Sequence, residues 1–106
     1  MNKCIFIGRL TREIELKYLP SGQAVAKTGF ATSKKYKDKT TGETKEKTMF
    51  IDIVVWAKSA EILHQNCKKG HKIGIVGELE LDQWVDNDGN KRSKHTISVE
   101  SFEFLE

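Results

Sequence analysis

The chain has 106 residues, 31% of them charged and 38% hydrophobic, with one proline and a formal net charge of +3. That length suits a single domain over residues 1–106, and the composition is that of a globular protein, which excludes collagen-like, coiled-coil and wholly disordered chains. No apolar run approaches the roughly 20 residues needed to span a bilayer, so no membrane partner is expected.

Met1-Asn2-Lys3 leads straight into a β-like run with no signal-peptide pattern, so the expectation is a cytoplasmic protein, or one that has lost a targeting segment. Residues 3–10 are apolar on both parities through Cys4, Ile5, Phe6 and Ile7, as in a strand covered on both faces. One cover is the domain's own core; the other is a second subunit, which makes Ile5, Phe6 and Ile7 candidates for an oligomer-forming edge. Residues 12–18 alternate, with Ile14, Leu16 and Tyr18 on one face. Leu19-Pro20-Ser21-Gly22 is a turn signal, and residues 24–36 read as a long strand with Gly29 as a bend or bulge. Residues 37–47 are polar and form a long hairpin connection or a pair of frayed strand ends. Residues 48–57 form a central strand.

Helix punctuation follows, with Ser59 as N-cap, Glu61 in the first turn, Lys68 and Lys69 in the last, and Gly70 just beyond. Residues 71–86 and 92–105 are strands joined by Asn87-Asp88-Gly89-Asn90. A β-rich chain with one short helix after its third long strand fits an all-β, five-stranded OB barrel with long hairpin extensions better than a sandwich or a βαβ fold.

Catalytic and metal-binding patterns are missing. No phosphate-binding loop, nucleophile elbow or zinc motif occurs, and His64, His71 and His95 are scattered. Cys4 and Cys67 lie far apart with no nearby ligand partner, as expected for two free thiols. Gly74 and Gly77 are spaced wrongly for a dinucleotide loop and read as strand bends. Glu78, Glu80 and Asp82 read as a solvated strand face. The expectation is a non-enzymatic protein without metal or cofactor.

Parity carries the functional signal. In residues 48–57, Met49, Ile51, Ile53 and Val55 share the core parity, while Phe50 and Trp56 stand on the polar side with Asp52. In residues 71–86, Ile73, Ile75, Leu79 and Leu81 share the core parity, and Trp84 joins Glu78, Glu80 and Asp82. Tyr36 ends a strand among Lys34, Lys35 and Lys37. Several exposed aromatics in one small domain indicate either a subunit interface or a platform for stacking bases. Charge favours the second. Residues 34–47 carry six lysines against three acids, Lys34, Lys35 and Lys47 among them, and Lys58 closely follows Trp56. Cations beside flat rings are what single-stranded nucleic acid requires. Charge is also unevenly divided: residues 1–77 hold 15 Lys/Arg against 7 Asp/Glu (+8), and residues 78–106 hold 3 against 8 (−5).

Several stretches together resemble the OB domain of the bacterial single-stranded DNA-binding protein family. They are Asn2-Lys3, Ile7-Gly8-Arg9-Leu10, Tyr18-Leu19-Pro20-Ser21-Gly22, Ala24-Val25-Ala26, Ala31-Thr32-Ser33, Ala57-Lys58, Ala60-Glu61, Lys69-Gly70 and Gly77-Glu78-Leu79, and the likeness covers residues 2–105. The resemblance implies sequence-tolerant binding and protection of single-stranded DNA in replication, recombination and repair, and a nucleoid-associated homotetramer built as a dimer of dimers. It implies base stacking on Tyr36, Phe50, Trp56 and Trp84 and phosphate contact by Lys58 and Lys69. The chain departs from the family in its smaller rings at 36 and 50 and its larger ring at 56. It also has Asp52, Glu80 and Asp82 where relatives often carry basic residues. Family members continue into a flexible linker and an acidic tip that recruits repair and replication enzymes; a chain closing at Glu106 is expected to recruit them poorly. The alternatives are a tailless dimeric OB accessory protein of the primosome, which bridges DNA and proteins, and a structural oligomerisation module.

Overall fold

Residues 1–105 are described by a computed structural model. The elements are β1 (Cys4–Leu10), β2 (Glu15–Tyr18), β3 (Ala24–Lys37), β4 (Thr44–Trp56), α1 (Ala57–Asn66), β5 (Lys72–Val85) and β6 (Lys91–Phe104). The sheet order is β1-β5-β6-β4-β3-β2, and β1 also pairs with β3. That extra pairing closes β1, β5, β6, β4 and β3 into a five-stranded barrel, with β2 following β1 along the same edge of β3. The barrel is the OB arrangement expected from the order of elements.

Closure happens where the backbones come close. Leu10 pairs with Phe30 and Arg9 with Ala31. A Cβ on Gly8 would lie 2.1 Å from the Ala31 carbonyl oxygen, so this approach requires glycine. Beyond it the Thr11 N–H donates to the Gly29 carbonyl, and the Thr28 hydroxyl donates to the Arg12 carbonyl. The chain thereby crosses from the β1 segment to the β2 segment of the β3 edge.

Gly29 is not a bulge. The β3–β4 ladder runs without a slip from Val25 opposite Trp56 to Lys37 opposite Thr44. Its missing side chain makes room instead for Thr11 and Arg12, whose nearest atoms would lie 2.1 and 2.6 Å from a Cβ there. The ladder irregularity lies at Val76/Gly77, where Val76 faces Ser101 and Gly77 faces Val99, so Glu100 is the extra residue.

Leu10, Phe30, Ile53, Val55, Ile73, Ile75 and Ile97 fill the barrel, and Ala60 and Leu63 of α1 join the same cluster. Met49, Leu79 and Leu81 share the core parity but are 38%, 41% and 51% exposed, which corrects their placement in the core. Alternation decides which face a side chain takes; burial also needs a second layer, and these residues lie on hairpins that run past the barrel's end. Those arms also account for a radius of gyration of 16.1 Å, against about 13 Å for a compact 100-residue domain. Residues 37–47 are accordingly ordered, paired to Lys37 and from Thr44, with a turn between them.

The helix boundaries also differ from those expected. α1 starts directly after β4, with Trp56 in the cap position and no side chain capping it, so Ser59 lies inside the helix. It ends at Asn66, which leaves Lys68 and Lys69 beyond it and Gly70 (φ +92°) in the following turn. The local cap signal is overridden because the chain must bend at once after Trp56 for Ala60 and Leu63 to reach the core. Ala57 absorbs that bend at φ +56°, a conformation costly to a residue with a Cβ. Among the described residues no helix is long and apolar enough to cross a membrane.

These two backbone positions give opposite expectations. Gly8→Ala should destabilise the fold by about 3 kcal/mol, because the clash is with backbone, whereas Ala57→Gly should stabilise it by about 1 kcal/mol. Urea unfolding at fixed protomer concentration checks both.

Candidate nucleic-acid interface

In a sheet, directly paired residues share a face. Phe50 pairs with Ala31, Asp52 with Gly29 and Trp56 with Val25 across β3–β4. Asp52 also stands beside Thr96 of the parallel strand β6, and Val54 beside Ser98. Thr96 pairs with Glu80, Lys94 with Asp82 and Arg92 with Trp84. Phe50, Trp56 and Trp84 therefore lie on one outer face of β3-β4-β6-β5. They are 73%, 41% and 45% exposed. Among the described residues a ring-to-ring contact joins Phe102 and Phe104; none of these three rings takes part in it.

Tyr36 is placed differently. It pairs with Lys45, and Lys34 pairs with Lys47, on the opposite face of the β3–β4 arm. Lys35 projects from the same face as Phe50. The arm thus carries lysine on both sides, with Tyr36 45% exposed near its tip. Lys58 is exposed in the first turn of α1, close in sequence to Trp56. Lys69 is exposed in the turn after the helix, where the Gly70 N–H donates to the Leu10 carbonyl.

Cations that the sequence reading did not single out also lie on the aromatic face. Arg12 Nη1 donates to Asp52 Oδ1 at 2.9 Å, and Lys94 Nζ to Asp52 Oδ2 at 2.9 Å. Arg92 Nε donates to Asp86 Oδ2 at 2.8 Å, and Lys27 pairs with Val54 on the same face. The parity of Arg92 and Lys94 was readable from residues 91–98. That this parity meets Asp52 follows only from the parallel β4–β6 pairing. The acids of residues 78–106 are accordingly partly offset, because Arg92 pairs with Asp86.

Three aspartates are held below their ordinary carboxylate range. For Asp52 the chief cause is the hydrogen bond from Arg12, then that from Lys94, opposed by partial desolvation. For Asp38, at the tip of the β3–β4 arm, it is Lys45, followed by the backbone N–H groups of Thr40 and Thr41. For Asp86 it is Arg92, then the backbone N–H of Asn90. The Asp52 pairs, partly exposed, each contribute at most about 1 kcal/mol. Burial pushes the Cys67 thiol up, away from thiolate reactivity. Among the described residues no group of His, Cys, Asp and Glu could hold a metal ion.

The edge of β1 forms a second surface. Cys4 to Arg9 pair with β5, while on the other side the β3 ladder takes up Arg9 and Leu10 and the Thr32 hydroxyl donates to the Ile7 carbonyl at 2.7 Å. Ile5 and Ile7 are 74% and 58% exposed, beside a hollow of about 270 Å³ that Gly74, Val76, Phe102 and Leu105 also line. Phe6 differs from its neighbours: it is half-buried and packs against the core, on the opposite face of β1.

The model of the Single-strand binding protein family matches residues 1–105. The chain belongs to that family. It is 47% identical over 105 residues to the single-stranded DNA-binding protein of Wolinella succinogenes, covering 99% of this chain and 64% of the relative. For the Helicobacter pylori protein of the same name the identity is 46%, covering 99% and 58%. The chain therefore spans about three-fifths of the length of these relatives. Among solved structures, a Plasmodium falciparum SSB in complex with ssDNA superposes with a TM-score of 0.89 at 29% identity, covering 100% of this chain and 96% of that one. A deletion mutant of the Thermus aquaticus single-stranded DNA-binding protein gives 0.84 at 28% identity, covering 100% and 51%.

Because the Asp38, Asp52 and Asp86 pKa values lie below the ordinary 3.8, the stability they contribute is fully present above that pH. It is lost as pH falls through the lowered values. Asp52→Asn should cost up to about 1 kcal/mol at neutral pH and leave the protein with a shallower loss of melting temperature below about pH 4. Thermal melts across pH check both effects.

Proposed function

We propose that this chain binds single-stranded DNA without sequence preference, by stacking bases on exposed rings and neutralising phosphates with Lys and Arg. The observation that carries this reading is the placement of Phe50, Trp56 and Trp84 on one sheet face, free of other rings and interleaved with cations. A ring can stack on any base, so such a face holds a strand of any sequence. The strand cannot re-pair while its bases are held this way. That suits protection of exposed strands during replication, recombination and repair, and needs binding alone, without catalysis. The relatives named for single-stranded DNA binding, and the neighbour solved with ssDNA, support the same reading.

Tyr36 extends the stacking surface onto the arm, where Lys34, Lys35 and Lys47 supply positive charge; Lys58 and Lys69 add phosphate contacts near the helix. The open edge of β1 pairs with its copy in a second protomer, and the exposed Ile5 and Ile7 are covered as two dimers join into a tetramer. A strand edge of this kind invites pairing, and aliphatic side chains on it are otherwise a liability.

Oligo(dT) should quench the emission of Trp56 and Trp84, and log affinity should fall with log salt by about 0.7 for each phosphate neutralised. Trp56→Ala or Trp84→Ala should each weaken binding by about 1–3 kcal/mol, with assembly unchanged. Unquenched tryptophans with poly(dT) at low salt would refute the reading. In light scattering, Ile7→Asp should reduce the assembly to smaller species; a tetramer unaffected by it would refute the assignment of the β1 edge.

A further inference from the structure

Asp52 lies between two stacking positions. On the same strand and face, Phe50 is two residues to one side of it and Trp56 four residues to the other. A strand with bases stacked on both rings would run close to this carboxylate. A lone acid here would repel it. Asp52 is instead capped by two cations from other parts of the chain, Arg12 just after β1 and Lys94 of β6, each at 2.9 Å. The cations are 50% and 51% exposed, while Asp52 beneath them is 31% exposed. An approaching strand therefore meets the cations before the acid.

We propose that Arg12 and Lys94 form a phosphate-binding station on the aromatic face, which the Asp52 carboxylate occupies in the free protein and yields to a DNA phosphate. The inference rests on the single-stranded DNA reading given above. Three features support it. An open hollow of about 260 Å³ lies beside the cations, lined by Arg12, Gly29, Phe50, Asp52 and Lys94, so there is room for a phosphate next to them. Both cations sit at the end of flexible stems and make only exposed pairs with Asp52, which are weak and easily exchanged. A carboxylate and a phosphate offer the guanidinium the same acceptor geometry, so one can replace the other.

The exchange has an electrostatic consequence. With Asp52 in place the trio carries a net charge of +1, and without the carboxylate it would carry +2. Asp52 thus competes from within the protein, weakening DNA binding at this point while keeping the two cations gathered and ready. Asp82 stands opposite Lys94 as well, but its carboxylate accepts the Thr96 hydroxyl at 3.3 Å, and no ion pair to Lys94 is formed there.

The test is oligo(dT) affinity across a salt series for the wild type and for Arg12→Gln, Lys94→Gln, Lys94→Arg and Asp52→Asn, with thermal melts to confirm folding. Arg12→Gln and Lys94→Gln should each flatten the log affinity against log salt slope by about 0.7, and Lys94→Arg should retain the wild-type slope. Asp52→Asn, nearly isosteric, should tighten binding at low salt by about threefold to tenfold, the range set by releasing two exposed ion pairs. Wild-type slopes in both Gln variants, or weaker binding in Asp52→Asn, would overturn the proposal. Failure of the wild type itself to bind oligo(dT) would instead overturn the DNA reading on which it rests.

Discussion

The structure depends on the approach of β1 to β3. Leu10 and Phe30 meet in the core at this point, and the approach is possible because Gly8 has no side chain to strike the Ala31 carbonyl. Closing the ring here lets a chain this short surround a single layer of Ile, Val, Leu and Phe. It also fixes which way every other strand faces. Once β1 is locked to both β3 and β5, the strands are held in register around the ring, and that decides which rings share a face.

The proposed binding surface is a by-product of that closure. The β3–β4 and β5–β6 hairpins are longer than the barrel, so their ends have no second layer to cover them. Met49, Leu79 and Leu81, which would be core residues on shorter strands, are exposed there for that reason. Phe50 and Trp84 lie on the outer face of the same extensions, and Trp56 lies where β4 passes into α1. That passage is tight enough to force Ala57 into the left-handed region. The strain falls directly beside a ring proposed to stack, and the burial of Ala60 and Leu63 offsets it.

Charge follows the same logic. The lysines of the arm are close together in sequence and remain close in space. Arg12, Asp52 and Lys94 are distant in sequence and meet only because β4 and β6 run parallel and Gly29 leaves space for the Arg12 side chain. A division into a basic body and an acidic last quarter is correct along the chain and misleading on the surface. There, Lys94 and Arg92 stand among the acids of β5, and Asp52 is covered by cations.

Much of this protein was legible from its residues. Alternation placed Phe50, Trp56 and Trp84 on the polar side of their strands, because a strand's side chains must alternate whatever they pack against. The order of strands and helix pointed to the barrel, and the clustered lysines marked the arm. Other features were not legible, because they depend on contacts between distant segments. The start of α1 was set by what its buried face had to reach, against the local signal at Ser59. Gly29 was needed for a neighbour's side chain, not for a bulge. Phe6 turned inward while Ile5 and Ile7 faced out, a distinction that an all-apolar run cannot express. Strand parities, the fold class and the rings on the polar side of each strand follow from local residue pattern. That three of those rings share one face, that Tyr36 stands on the other and that Asp52 lies beneath two cations follow from the pairing of distant strands. Parity is a property of one strand, whereas a shared face requires the pairing of several.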